Sequence, residues 1–208
     1  EAGRRENLLQ TLKEEIPSRV YIKKMDVSRI EEAERGIEEL LKEMADVDVI
    51  VINSGVGISN RDFRTETEIE TIMVNVAGFA AMAMAAARYF KERGKGQIVG
   101  VTSVAGIRGH SHAPAYNASK AFGINYLEGL RRKLRKTGIV VTDIRPGFVD
   151  TPMTKGRKDM FWVAPARRAA EEMFEAIRRK KKNAYITKRW GVVALCLRMA
   201  PDWLYNRI

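Results

Sequence analysis

Tyr116 and Lys120 stand four residues apart in the segment Tyr116-Asn117-Ala118-Ser119-Lys120. On a helix this spacing puts the two side chains one turn apart on the same face. An ammonium beside a phenol favours the phenolate and lowers its pKa from about 10 toward the working pH, where the oxygen can exchange a proton with an alcohol or a carbonyl. The pair alone also describes a half-buried ring beside a solvated amine, which many helices carry. Its surroundings add weight. Ser103 ends the apolar run Gln97 to Ser103, Asn53 ends the preceding run in Asn53-Ser54-Gly55-Val56-Gly57, and Arg145-Pro146-Gly147 ends the following one. If these runs are parallel strands, three neighbouring strand ends deliver a hydroxyl, an amide and glycine-rich backbone to one crevice, where open α/β sheets bind their ligands.

The elements that must position these groups follow from the apolar pattern. Runs at Val20 to Asp26, Val47 to Asn53, Gln97 to Ser103, Ile139 to Arg145 and Ala184 to Lys188 predict strands. The middle three are β-branched and nearly continuous in apolar character, as strands covered on both faces should be. Between the runs, apolar spacing predicts helices at Arg29 to Ala45, Glu66 to Arg93, Pro114 to Lys136 and Pro165 to Lys182. Strands alternating with helices imply an α/β fold with a mainly parallel sheet between two helical layers. The 208 residues, 45% of them hydrophobic, suit a single domain over 1–208.

In this order of motifs the sequence resembles the classical short-chain dehydrogenases/reductases. The likeness rests on Asp26-Val27 after a strand, Asn53-Ser54-Gly55 where the family usually has Asn-Ala-Gly, Asn75 in VNVAG, Ser103 in VTSVAG, the Tyr116 and Lys120 pair, and Pro146-Gly147-Phe148-Val149-Asp150-Thr151. The resemblance implies a Rossmann-type fold and hydride transfer between a nicotinamide cofactor and a small carbonyl or secondary alcohol. It implies that Ser103 orients the substrate oxygen, Tyr116 is the general acid/base, Lys120 holds the cofactor ribose, and Asn75 organises a water-linked proton path. Asp26 and Val27 would lie beside the adenine, Asn53, Ser54 and Gly55 along the cofactor, and Pro146, Gly147, Val149 and Thr151 against the nicotinamide. Gly3-Arg4-Arg5 matches the place where NADP-using relatives put an arginine on the 2′-phosphate, which favours NADP over NAD. The family also commonly pairs helices between subunits, so a homo-oligomer, a dimer or tetramer, is implied. Its opening strand and Thr-Gly-x-x-x-Gly-x-Gly loop have no counterpart here, so the expectation is a polypeptide extending upstream of Glu1 with that first βα unit. The contrasting reading is a catalytically idle Rossmann-type scaffold.

The formal charge is +11, but the basic runs around Arg131 to Lys136 and Arg178 to Lys182 lack interleaved aromatics and any nucleic-acid motif. Solvated helix faces explain them better than nucleic acid. A single cysteine, Cys196, has no disulfide partner, which fits a cytoplasmic protein. No run of about 18 apolar residues marks a membrane span. His110 and His112, without nearby carboxylates or cysteines, do not make a metal site. Phe161-Trp162 falls where the family covers its substrate and equally reads as a packed anchor. The tail, 190–208, is apolar with interspersed arginines; it docks on the body, on a sister subunit, or at a membrane surface as a peripheral contact.

Overall fold

Val and Ile alternate with few polar residues along Gln97 to Val101 and Ile139 to Ile144, so these segments find stability only where both faces are covered. In the computed structural model, which describes all residues except positions 18, 19, 155, 157–159, 206 and 208, they form the middle of a parallel sheet. Parts of the 154–164 loop and of the 190–208 tail therefore lie outside the described residues. The sheet has the order β3 (Val49–Ile52), β4 (Lys95–Val101), β5 (Gly138–Pro146) and β6 (Asn183–Ile186). A separate parallel pair comprises β1 (Ala2–Gly3) and β2 (Lys23–Lys24).

Successive residues of a strand point to opposite faces, and here Ile98 and Val99 serve two different cores. Ile98 packs with Phe79, Phe90, Leu127 and Leu130 of helices α4 (Phe79–Arg93) and α5 (Pro114–Lys133), while Val99 packs with Ala169 and Ala176 of α6 (Ala166–Arg178). Helices α1 (Glu6–Glu15) and α2 (Ile30–Met44) follow β1 and β2, and Ala33 of α2 is buried in the first core. The result is a Rossmann-like α/β fold with helices on both faces of a parallel sheet.

Several elements differ from the sequence expectation. β2 pairs over two residues rather than seven. β3 is predicted to be buried on both sides, yet among the described residues it pairs only with β4, and its Val49 and Val51 are 37% and 47% exposed. Apolar composition anticipates a strand paired on both edges, and among the described residues β3 has one partner, β4. The helix expected to reach Lys182 ends at Arg178, because Lys180 turns the chain at φ 51° and β6 begins at Asn183. Arg131 is no mere solvated cation: its guanidinium donates to Val141 O and Lys182 O, tying α5 to the adjoining strands.

Helix α3 (Thr65–Ile72) runs into α4 through a π-helical turn at Met73–Gly78. Contrary to the expectation that nothing reaches span length, Thr65–Arg93 is long and apolar enough to cross a membrane. Phe79, Met82, Ala83, Ala86 and Phe90 are instead buried in the first core, so its apolar content is accounted for by packing. The chain continues after β6 into α7 (Trp190–Met199) and the short α8 (Asp202–Tyr205).

Candidate active site

The π-helical turn places Asn75 at the centre of the site. π-Turns inside helices recur at functional positions because the extra residue re-aims a side chain. Asn75 is 4% exposed; its Oδ1 accepts from Val56 N at 2.8 Å, and its Nδ2 donates to Val56 O at 2.8 Å and to Ser119 Oγ at 3.0 Å. One amide thus joins the segment after β3 to α5. Ser119 in turn donates to Tyr116 O at 2.7 Å.

Lys120 lies half-buried on α5 with its Nζ 5.8 Å from the Tyr116 ring centroid, and it donates to Val101 O at the end of β4 at 3.1 Å. Loss of water around the ammonium lowers its pKa from 10.5 to about 8, with the Asp143 carboxylate opposing the shift. Gly55 faces this ammonium: a Cβ there would lie 3.4 Å from both Lys120 Nζ and Asn75 Oδ1. A Cβ on Gly57 would meet Tyr116 Cε2 at 3.4 Å and Met153 Sδ at 3.1 Å. Tyr116, Lys120, Asn75 and the Gly55 to Gly57 backbone are therefore assembled in one place.

Ser103 follows β4 directly, and its Oγ accepts from Ala105 N at 3.1 Å and donates to Pro146 O at 3.3 Å. The turn after it is pressed onto α5. Asn117 Nδ2 donates to Ala105 O at 2.7 Å and to Arg108 O at 3.1 Å. Gly106 makes the approach possible, since a Cβ there would lie 2.6 Å from Lys120 C and 2.7 Å from Ala121 N. Gly106→Ala must push the Ser103 turn off the helix that carries Tyr116 and Lys120. The expected result is a loss of about 1–3 kcal/mol of stability together with lower turnover; an unchanged thermal midpoint would refute the close approach.

The beginning of α5 is fixed by Pro114, where the helix is predicted to start, and by Glu68, which no local pattern marks. Pro114 opens the helix with a pre-set φ, and Glu68 of α3 accepts from Ala115 N at 2.9 Å. A carboxylate there also complements the helix N-terminus. Beneath the site, Asp143 and Arg145 share one face of β5 and form a buried ion pair at 2.6 Å. Thr102 Oγ1 donates to Asp143 at 2.6 Å, and Arg145 donates to Tyr185 OH at 3.1 Å. Burial pushes the Asp143 carboxyl up against the opposing pull of Arg145 and Thr102. This network laces β4, β5 and β6 together immediately before Ser103 and Pro146.

Pro146 and Gly147 leave β5 at the same rim. Gly147 lies against the Trp190 indole, where a Cβ would come within 2.0 Å of the ring. Val149 bridges to Ala164, and Thr151 N donates to Thr154 Oγ1 at 3.1 Å. Phe161 and Trp162 join Phe148 and Trp190 in an aromatic cluster while remaining about half exposed, so one side of each is a packed anchor.

The residues expected beside the adenine sit on the other sheet. Arg4 and Arg5 follow β1, Asp26 and Val27 follow β2, and the parallel pairing of Gly3 with Lys24 brings the two strand ends together. Burial acts to raise the Asp26 pKa, but hydrogen bonds from Ser28 N and Oγ, with the charges of Arg4 and Arg29, hold it below the usual carboxylate value. Asn53 is exposed just beyond β3, and Ser54 is half-buried beside it. His110 and His112 lie 5.1 Å apart on the loop leading to α5, and His110 lines a cavity of about 470 Å³ that includes none of Ser103, Tyr116 or Lys120. Among the described residues no three His, Cys, Asp or Glu side chains gather as metal ligands do.

The sequence profile described as short chain dehydrogenase matches residues 1–161. A protein of Myxococcus xanthus named as an uncharacterized oxidoreductase is 39% identical over 158 residues, which cover 74% of this chain and 62% of that protein. The NADP-dependent 3-hydroxy acid dehydrogenase of Escherichia coli K12 is 33% identical over 153 residues, covering 71% of this chain and 60% of that enzyme. The crystal structure of serine dehydrogenase from Escherichia coli aligns with a TM-score of 0.67 at 32% identity, over 71% of this chain and 69% of the other. The matched part spans about three fifths of the length of these two sequence relatives. With the profile matching most of its length, this chain belongs to the short-chain dehydrogenase family.

Proposed function

We propose that the protein is an NAD(P)-dependent oxidoreductase that interconverts a small carbonyl compound and its alcohol by a Ser-Tyr-Lys mechanism. The observation that carries this reading is the enclosure of Lys120 Nζ between the Tyr116 ring, Asn75 and the bare backbone of Gly55. The residues present fit the ribose and nicotinamide end of a dinucleotide. An ammonium has three donors, of which one goes to Val101 O. The missing Cβ at Gly55 leaves that ammonium open to a flat or hydroxylated ligand. Lys120, Asn53, Ser54 and Gly55 would hold the ribose side, and Pro146, Gly147, Val149 and Thr151 the nicotinamide.

When bound, the nicotinamide supplies or accepts the hydride. Ser103 donates a hydrogen bond to the reacting oxygen, and Tyr116 gives that oxygen its proton in reduction or takes it in oxidation. Lys120 stabilises the phenolate left on Tyr116. Asn75, fixed by Val56 and Ser119, keeps the proton path to Lys120 in register. Arg4, whose charge reaches Asp26, and the adjacent Arg5 favour NADP, in keeping with the cofactor in the name of the Escherichia coli 3-hydroxy acid dehydrogenase.

The direct test follows NADPH and NADH absorbance against a panel of ketones, aldehydes and secondary alcohols. Turnover with at least one pair, faster with NADPH, is expected; dinucleotide binding without turnover on any substrate would favour the idle-scaffold reading. We also expect a homo-oligomer, with α3 and the π-helical turn after it offering exposed Ile69, Ile72 and Met73 and α5 offering exposed Ala118, Ala121 and Gly129. Sedimentation velocity at micromolar concentration checks this, and a strictly monomeric boundary would count against it.

A further inference from the structure

A helix that packs one side on a protein body is expected to turn polar residues outward, and α7 does not. Its inner face seats Trp190 and Ala194, 4% and 2% exposed, with Val193 and Leu197 alongside, against Val104, Ile107, Phe148 and Tyr185. Its outer face carries Val192, Leu195 and Met199, which are 65%, 57% and 74% exposed. Exposed aromatics extend this apolar surface at both ends. Phe161 and Trp162 contact Trp190 at the first turn, with ring centroids 5.0 and 6.2 Å away, and Trp203 on α8 is 64% exposed beyond the last.

The excess of charge around this surface is positive. Lys188, Arg189, Arg198 and Arg207 flank it, and the acidic residue of the segment, Asp202, is held by Arg108 at 2.7 Å. Arg189 stacks over Trp162 at 5.0 Å and Arg207 over Trp203 at 5.7 Å. By contrast, the exposed apolar residues of α3 are interspersed with Glu66, Glu68 and Glu70, which an anionic surface repels. The α7–α8 face is also anchored in its outward orientation: Arg108 donates to Ala200 O at 3.2 Å, and Tyr205 OH donates to Gly109 O at 2.6 Å.

We propose that α7 and α8 form a docking face by which the protein lies on an anionic phospholipid bilayer. Leu, Met and Val side chains enter the boundary between headgroups and acyl chains, tryptophans sit at the headgroup level, and arginines reach lipid phosphates. Each juxtamembrane cation strengthens such binding, and salt screens it.

The test is cosedimentation of the full chain with vesicles of phosphatidylcholine, with and without about one-third phosphatidylserine. Binding to the phosphatidylserine vesicles is expected at low salt, weakening at high salt. The double variant Leu195→Glu with Met199→Glu, exposed at both positions, should keep its circular dichroism and thermal midpoint while binding falls about tenfold or more. The readout needs no turnover, so it stands apart from the catalytic reading. Absence of binding by the wild type, or equal binding by the double variant, overturns the proposal. Self-association that the double variant abolishes, without vesicle binding, would identify a second copy as the cover and overturn it too.

Discussion

Tyr116→Phe is expected to lower turnover by about 10²–10⁴-fold, the range general acid–base groups contribute, on whichever substrate the panel selects. The ring keeps its place: Phe presents the same edge to Gly57 and the same face to Lys120. What disappears is the oxygen proposed to exchange the proton. Stability should therefore change little while kcat collapses. Dinucleotide affinity should survive, because Lys120 and the Gly55 backbone are untouched. A variant turning over within about tenfold of wild type would remove Tyr116 from the proton-transfer role. A large fall in thermal midpoint would mean that the ring, rather than the proton, was the loss.

The strands that carry the site were legible because composition and environment coincide there. β4 and β5 are continuous apolar runs, and both are covered on two faces. β3 has the same composition but a different environment, since composition reports what a strand tolerates and not whether a second neighbour is present. The helix boundary at Arg178 was hidden because Arg178 to Lys182 offers neither Gly nor Pro, and the chain turns on Lys180 instead. Ser103, Tyr116 and Lys120 were visible as a motif, and the structure brings their segments together through the Gly106 contact. The groups that hold them were less visible. Asn117 and Ser119 stand inside the motif, but their partners, Ala105 O, Arg108 O and Asn75, come from other elements. Glu68 lies far from Ala115 in sequence, and a long-range cap leaves no local signature. Asp143 and Arg145 did leave one: two opposite charges at alternate positions of an apolar strand must share a face.

That buried network bears on how the site tolerates its own lysine. An ammonium near the sheet would be costly alone; Asp143 offsets part of that cost from below, while Val101 O accepts a hydrogen bond from it. The Asp143 carboxylate is in turn held by Arg145 and Thr102, so its charge stays fixed in direction and distance. Removing one member of a buried pair leaves the other uncompensated and is strongly destabilising. Stability of the strand ends and the electrostatics of the proposed catalytic residues are thus carried by the same side chains.

Lys120→Met should separate stability from turnover. The variant loses the charge that favours the Tyr116 phenolate and the donor proposed to hold the ribose, so kcat should fall by about 10²-fold or more and cofactor affinity by about tenfold or more. Its stability should respond to pH in the opposite sense from a lost favourable contact. Burial lowers the Lys120 pKa from 10.5 to about 8, so between those values the unfolded chain binds more protons than the folded one. Stability then rises with pH across that window and carries the full penalty of the buried charge below it. The shift corresponds to about 3 kcal/mol as an upper bound for the cofactor-free protein. Wild type should therefore gain stability relative to Lys120→Met from pH 8 to 10.5, and the two should run parallel below pH 7. Denaturant midpoints measured for both proteins across this range test the assignment. Parallel curves throughout would mean that Lys120 keeps an ordinary pKa and that its ammonium is not enclosed as the site requires.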